Sequence, residues 1–123
     1  MKTVNLTTAD FKEKFFDFTQ EKEWRFESET PALIDFYADW CGPCKAVAPV
    51  LEEIAQELGD QITIYKVDTE VEAELSAAFG IRSIPSLLFV PVNSAQPMMQ
   101  AGALPKEALL EVINKELLNK AEA

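Results

Sequence analysis

The chain has 123 residues, of which 48% are apolar and 26% are charged, a composition that suits one compact globular domain. Its formal net charge is −10, which repels phosphate backbones and disfavours nucleic acid as a ligand. Histidine is absent, which excludes Cys–His catalysis, Ser–His–Asp triads and histidine-ligated metal sites.

The sequence contains no apolar run long enough to cross a bilayer. Its first residues, "MKTVNLTTADF", also lack the apolar stretch of a secretion signal. We therefore expect a cytoplasmic protein that does not associate with membranes. A periplasmic or otherwise exported protein is the alternative, because its mature form would look the same.

The first thirty residues predict a strand, a helix and an irregular segment. Residues 3–6 form the strand, and Thr7 and Asp10 have the spacing of a capping box at the start of the helix. The apolar face of this helix carries aromatic residues at helical spacing: Phe11, Phe15 and Phe18. Residues 21–30 are predicted to be a loop or a short edge strand whose Trp24 and Phe26 tuck under the sheet, although the two aromatics also suit a partner surface.

The next two elements carry the chemistry. Residues 31–38, "PALIDFYA", are apolar on both faces apart from Asp35, as in a central parallel strand covered by helices on both sides. A helix begins within "CGPCK" and ends near Gly59, and Pro49 is expected to kink it. Its buried stripe consists of Val47, Val50, Leu51, Ile54 and Leu58.

The second half continues the alternation of strands and helices. Residues 61–68 predict a strand, and residues 70–80 predict a helix with three inward residues: Val71, Leu75 and Phe79. A strand over 85–90, a turn at Asn93 and Ser94 and a strand over 98–103 follow. Residues 105–118 close the chain as a helix, and residues 119–123 are expected to fray.

This order, βαβαβαββα, predicts one α/β domain over residues 1–123. The strands that alternate with helices are expected to be parallel, and the final hairpin is expected to add an antiparallel edge. The result is a central mixed sheet with helices on both faces.

Both cysteines of the chain, Cys41 and Cys44, lie in one short segment, "DWCGPCK". A structural crosslink three residues apart restricts the unfolded chain very little. Two cysteines cannot complete a four-ligand zinc site within one chain, and a zinc ion shared between two chains is the remaining metal hypothesis. Reversible thiol–disulfide chemistry explains the spacing, because residues i and i+3 of a first helical turn are within disulfide reach.

The two cysteines are predicted to have different roles. Cys41 is expected at the very end of the helix with its sulfur exposed, where unpaired N–H groups and the helix dipole favour a thiolate. Cys44 lies one turn further in and is expected to be shielded until it resolves a mixed disulfide. Gly42 allows close approach of another backbone, and Pro43 fixes φ at the helix start.

"WCGPCK" and "SIPSLLFV" together resemble the thioredoxin family over residues 4–118. The positions that match are Asp35, Trp40, Cys41, Gly42, Pro43, Cys44, Lys66, Pro85 and Gly102. The resemblance implies a thioredoxin-like fold and reduction of disulfides in client proteins. It further implies recycling by a thioredoxin reductase and no cofactor besides the cysteine pair, and we expect a monomer.

The resemblance also implies where the remaining site residues lie. In the family, the proline that matches Pro85 is cis and faces the disulfide, and the aspartate that matches Asp35 is buried behind the second cysteine. We expect Asp35 to accept the Cys44 proton, with Lys66 offsetting part of its burial cost. A buried structural ion pair is the alternative.

Four residues are expected to bind the client: Trp40, Ile84, Pro85 and Gly102. The chain departs from the family pattern at Tyr37, Ser83 and Ser86, which concerns client preference more than the chemistry.

Two other functions remain open at this point. One is an exported disulfide oxidant or isomerase. The uncharged Gly42–Pro43 pair argues against it, since a histidine there would make the couple more oxidising. The other is a redox-silent module that uses the same groove to bind a partner, and the intact Cys41 and Cys44 argue against that.

Overall fold

A computed structural model describes residues 2–119 of the protein. The strands are β1 (Val4–Asn5), β2 (Ala32–Tyr37), β3 (Thr63–Asp68), β4 (Ser86–Val90) and β5 (Met98–Ala101). The helices are α1 (Thr8–Lys14), α2 (Gly42–Leu58), α3 (Ala73–Ala78) and α4 (Lys106–Val112). A 3₁₀ turn, Gly59–Gln61, follows α2, and a π-helical stretch, Ile113–Leu117, continues α4. The predicted order is confirmed, and the predicted frayed tail lies outside the described residues except for Asn119.

The five strands form one mixed sheet in the order β1-β3-β2-β4-β5. Strand β3 is parallel to β1 and to β2, so Asp35 of β2 stands opposite Lys66 of β3. Strand β4 runs antiparallel to β2 and β5 runs antiparallel to β4. The mixed sheet is confirmed, but the expectation that only the last hairpin is antiparallel is wrong.

The connection through α3 explains the direction of β4. Helix α3 has 6 residues and spans about 9 Å, less than half the length of a six-residue strand. It therefore does not carry the chain back along the sheet. The chain instead turns at Gly80 and passes Ile84 beside Cys41, which follows the carboxyl end of β2. Strand β4 then runs in the opposite direction from that end.

One face of the sheet is covered by α2, α4 and the π-helical stretch and is aliphatic. Its core contains Leu33 and Ile64 from the sheet, Leu51 and Ile54 from α2, and Leu109 from α4. The predicted stripe of α2 is confirmed, with Val50 and Leu58 packed at its margin. Helix α2 continues through Pro49 and ends at Leu58, with Gly59, whose φ is +53°, as its C-cap. The kink at Pro49 stays a prediction.

The other face is covered by α1, α3 and the segment before β2, and it is aromatic. The rings of Phe11 and Phe15 stack with centroids 4.7 Å apart, and those of Phe15 and Phe26 stack at 4.5 Å. Trp24 packs against this cluster and no strand forms between residues 21 and 30, so the loop interpretation is confirmed. The capping box of Thr7 with Asp10 and the turn at residues 93–94 are also confirmed.

One residue of the aromatic side departs from its predicted place. Val71 is 71% exposed, whereas Leu75 is fully buried and Phe79 is partly buried against the core. Helix α3 begins at Ala73, so Val71 lies in the turn before the helix. A 3.6-residue period does not apply to a residue outside the helix, and for this reason the prediction that Val71 points inward is wrong.

Candidate active site

The two cysteines form a disulfide at the start of α2. Cys41 is the N-cap of the helix, Pro43 occupies its first turn, and the Cα atoms of Cys41 and Cys44 are 5.2 Å apart. The backbone N–H of Cys44 donates to Sγ of Cys41 at 3.2 Å. The sulfur of Cys41 therefore takes the place that a capping oxygen usually has, where it meets the positive end of the helix dipole.

The expected difference in exposure between the two cysteines is wrong. Cys41 is 4% exposed and Cys44 is 3% exposed. The side chains of Ala38 and Ile84 pack around the pair, and the carbonyl oxygen of Ile84 lies 3.7 Å from Sγ of Cys41. What distinguishes the cysteines in the disulfide form is the hydrogen bond to Cys41, because burial is the same for both.

The segment that covers Cys41 is anchored on both sides. The peptide bond between Ile84 and Pro85 is cis, as the family resemblance predicts. The N–H of Gly102, whose φ is +96°, donates to the carbonyl of Pro85 at 2.8 Å. The hydroxyl of Ser86 donates to the carbonyl of Ser83 at 2.6 Å. Three predicted client-binding residues, Ile84, Pro85 and Gly102, therefore lie together beside the disulfide.

Asp35 is buried in the cavity that Cys44 also lines. It is 0% exposed, and neither carboxylate oxygen has a hydrogen-bond partner among residues 2–119. Burial raises the pKa of Asp35 to about 7, although Lys66 acts in the opposite direction. Asp35 and Cys44 line the same cavity of about 110 Å³, so a carboxyl that titrates near neutrality shares a small space with the inner cysteine.

Lys66 lines that cavity too, but it does not pair closely with Asp35. The salt bridges within the described chain leave Lys66 without a carboxylate within 4.0 Å. Its Nζ lies 4.5 Å from the ring centroid of Tyr37. Burial, followed by the carboxylates of Asp68, Asp39 and Asp35, raises the pKa of Tyr37. The sequence marked Tyr37 only as a departure from the family pattern, so its contact with Lys66 was missed.

Trp40 stands on the outer side of the site and is 69% exposed. Its indole Nε1 donates to a carboxylate oxygen of Glu70. Trp40, Ile84 and Arg82 line an open groove of about 360 Å³ that continues along α3. Glu70 was missed because it is 30 residues from Trp40 in the chain and no local pattern connects the two.

The remaining predicted residues leave the end of the helix accessible. Gly42 and Pro43 are exposed, and a Cβ placed on Gly42 would meet nothing within 4 Å.

Over residues 2–119, no group of three or more His, Cys, Asp or Glu is arranged to hold a metal ion. In the same range, no helix is long and apolar enough to cross a membrane.

Comparisons with known proteins agree with this geometry. The chain matches the family model described as thioredoxin over residues 3–115. It is 43% identical over 110 residues to thioredoxin of Borreliella burgdorferi, covering 89% of this chain and 93% of that protein. It is 47% identical over 90 residues to thioredoxin of Bacillus subtilis, covering 73% and 86% of the two chains.

The fold is also shared with a solved structure of lower sequence identity. A crystal structure of chloroplastic thioredoxin z superposes with a TM-score of 0.78 at 22% identity, covering 94% of each chain. With the disulfide at the start of α2, the cis proline segment facing it and a family match over nearly the whole length, the chain belongs to the thioredoxin family of thiol–disulfide oxidoreductases.

Proposed function

We propose that the protein reduces disulfide bonds of client proteins by dithiol–disulfide exchange, with Cys41 as the attacking and Cys44 as the resolving cysteine. The observation that carries this assignment is the hydrogen bond from the Cys44 N–H to Sγ of Cys41 at the N-terminus of α2. In the reduced protein the same N–H and the helix dipole favour negative charge on Cys41. The thiolate is the attacking form, so the reaction begins at Cys41.

The reaction transfers two electrons from the cysteine pair to the client. The Cys41 thiolate attacks one sulfur of the client disulfide, forms a mixed disulfide and releases the other client sulfur as a thiolate. Cys44 then attacks Sγ of Cys41, which closes the Cys41–Cys44 disulfide and releases the second client thiol. In the closed product the Cα separation of 5.2 Å lies in the normal range for a disulfide.

Asp35 is proposed to accept the Cys44 proton in the second step. Cys44 is 3% exposed, so its thiol has little access to bulk water as a base. Asp35 faces the same cavity, and its pKa of about 7 suits a base that works near neutral pH. Lys66 is proposed to tune that carboxyl from a distance. The structural alternative, a buried ion pair, has less support because both oxygens of Asp35 lack a partner in the described chain.

Clients are proposed to bind across Trp40, Ile84, Pro85 and Gly102. Trp40 and Ile84 line the open groove beside the disulfide, and an extended client segment laid along it would bring its disulfide to Cys41. Gly42 and Pro43 leave the helix end open to this approach. A thioredoxin reductase is proposed to restore the dithiol after each cycle.

A reducing location suits this function. The chain has 2 cysteines, and both belong to the redox pair, so the fold relies on no structural disulfide. We therefore favour a cytoplasmic location. We further propose that the protein acts as a monomer that carries electrons from the reductase to its clients. An exported oxidant or isomerase and a redox-silent binding module are the less favoured alternatives.

Reduction of a disulfide-bonded protein such as insulin, coupled to NADPH through a thioredoxin reductase, tests the proposal. The intact protein is expected to turn over, and Cys41→Ser is expected to abolish turnover. Cys44→Ser is expected to accumulate a mixed disulfide through Cys41. Trapping by Cys41→Ser instead would reverse the two roles, and full turnover by either variant would exclude the mechanism.

A further inference from the structure

The ammonium group of Lys66 has an unusual position for a lysine beside a buried carboxylate. Lys66 and Asp35 are directly paired positions on neighbouring parallel strands, so their side chains leave the same face of the sheet. Nevertheless Asp35 has no hydrogen-bond partner within the described chain, and Nζ of Lys66 lies 4.5 Å from the ring centroid of Tyr37. This distance is within the range of a cation–π contact.

Tyr37 and Lys66 line two neighbouring cavities. The inner cavity, of about 110 Å³, contains Asp35 and Cys44. The outer cavity, of about 220 Å³, is lined by Asp68 and Glu72. Tyr37 and Lys66 line both cavities, so Lys66 lies between the carboxylates of Asp35 and Asp39 on the inside and those of Asp68 and Glu72 on the outside.

The outer carboxylates are already engaged by other donors. Asp68 accepts the N–H of Glu70 at 2.9 Å. Glu72 accepts the N–H of Thr8 at 2.8 Å and the Thr8 hydroxyl at 3.0 Å. Neither forms a salt bridge with Lys66, which leaves the Tyr37 ring as the contact that fixes the ammonium.

We propose that Tyr37 is a positioning residue for the exchange reaction: its ring holds the Lys66 ammonium at the boundary between the two cavities and keeps it from closing an ion pair with Asp35. This inference rests on the proposed role of Asp35 as the base for Cys44. A carboxylate in a close ion pair is a weak base, whereas a buried carboxyl with no cation nearby stays protonated. An ammonium held at an intermediate position leaves Asp35 able both to ionise and to accept a proton near neutral pH.

Other charged or titratable groups face the inner cavity besides Asp35 and Cys44. They are Tyr37 from β2, Asp39 from the segment after it, Lys45 from α2 and Lys66 from β3. Lys45 is exposed, so solvent screens its charge more than that of Lys66, which is partly buried. Lys66 is also the group whose charge lowers the pKa of Asp35. Tyr37 therefore affects the pKa of Asp35 through the position of Lys66.

Tyr37→Leu tests the proposal, with Tyr37→Phe as its matched control. Both variants lose the hydroxyl, but only Tyr37→Leu loses the ring face. The titration of the Asp35 carboxyl carbon by NMR is expected to move down by about one pH unit or more in Tyr37→Leu, because the ammonium closes on Asp35. The titration is expected to stay in place in Tyr37→Phe. An unmoved midpoint in Tyr37→Leu, or an equal shift in both variants, would overturn the positioning role.

A second pair of variants separates ion pairing from loosened packing. In a Lys66→Met background no ammonium is available, so adding Tyr37→Leu is expected to leave the Asp35 midpoint where Lys66→Met places it. If loosened packing lets water reach Asp35, the midpoint will fall in this background too, and the proposal is then wrong. Should Tyr37→Leu not fold, phenylalanines with increasing fluorination at position 37 weaken the ring face and keep its shape. A midpoint that falls with each fluorine supports the proposal, and a constant midpoint contradicts it.

The rate at which Cys44 resolves a mixed disulfide on Cys41 links the contact to the reaction. Its acid limb is expected to shift with the Asp35 midpoint in Tyr37→Leu and to stay in place in Tyr37→Phe. In one outcome, Tyr37→Leu shifts the titration midpoint of Asp35 but does not change the resolution rate. That outcome would overturn the role of Asp35 as base and would support the Tyr37–Lys66–Asp35 arrangement. The two failures are therefore distinguishable, because the carboxyl titration needs no turnover.

Discussion

Leu33 and Asp35 are successive residues on the same face of β2, and both are 0% exposed. Leu33 lies in the aliphatic core, packed with residues of α2 and α4. Asp35 lies one step closer to the disulfide, and both of its oxygens lack a hydrogen-bond partner in the described chain. One strand thus supplies a residue whose burial stabilises the fold and another whose burial costs stability and supplies a reactive carboxyl.

The same helix covers both residues. The middle of α2 places Leu51 and Ile54 in the core that contains Leu33, and its first turn places Cys44 in the cavity with Asp35. Because one rigid helix carries both contacts, the packing at its middle fixes the position of the cysteine at its start. The aliphatic core around Leu33 therefore holds Cys44 in place beside Asp35.

The largest expected effect is the pH dependence of stability that Asp35 imposes. Burial raises the pKa of Asp35 from 3.8 to about 7. The folded protein therefore keeps this proton while the unfolded chain loses it, and stability falls as pH rises from about 4 to about 7. A shift of about three units corresponds to about 4 kcal/mol.

Urea unfolding of the disulfide form of Asp35→Asn and of the intact protein, at about pH 4 and about pH 8, measures this effect. Asparagine does not titrate at either pH. We therefore compare the difference in free energy of unfolding between Asp35→Asn and the intact protein at the two pH values. From the lower to the higher pH this difference is expected to change by up to about 4 kcal/mol in favour of Asp35→Asn. A relative stability that does not change with pH would contradict the raised pKa.

In the aliphatic core, the variant to compare with Asp35→Asn is Leu33→Ala. Leu33 is fully buried in the aliphatic core, so its truncation is expected to lower the free energy of unfolding by about 3 kcal/mol at any pH in this range. The resolution rate per folded molecule is expected to change little, because Leu51 and Ile54 still pack α2 into the core and keep its first turn in place. A large loss of stability for Asp35→Asn at about pH 8, matching that for Leu33→Ala, would remove the distinction between the two positions.

The third effect is kinetic. Asp35→Asn removes the proposed base, so breakdown of the mixed disulfide at neutral pH is expected to slow about 10²-fold, which corresponds to about 2.7 kcal/mol in the barrier. Alkylation of Cys41 in the reduced variant is expected to remain fast, because its hydrogen bond comes from the backbone of α2. Stopped-flow measurement of both steps checks this. Wild-type resolution in Asp35→Asn would leave Asp35 with a structural role alone.

The sequence was sufficient for features that depend on neighbours in the chain. The capping box at Thr7, the end of α2 at Gly59 and the buried carboxyl in "ALIDFYA" all follow from local pattern. The placement of the cysteine pair at a strand–helix junction also follows from it. These features have physical causes that lie within a few residues of one another.

Features set by distant contacts were not predictable in the same way. Cys41 is covered by Ile84, which is 43 residues away, so its burial has no local signal. The direction of β4 depends on where α3 leaves the chain, which periodicity does not encode. The contact between Tyr37 and Lys66 depends on the pairing register of β2 with β3.

The smallest expected effect is at Val71, an apolar residue that the structure places outside the core. Val71 is 71% exposed in the turn before α3, so Val71→Ser is expected to change the free energy of unfolding by no more than about 0.5 kcal/mol. Leu75→Ala is the matched control, since Leu75 is fully buried one helical turn further on and its truncation is expected to cost at least about 2 kcal/mol. Urea unfolding of both variants makes the comparison. Similar losses at the two positions would mean that Val71 belongs to the core, as the periodicity of the sequence predicts, and that the start of α3 at Ala73 is wrong.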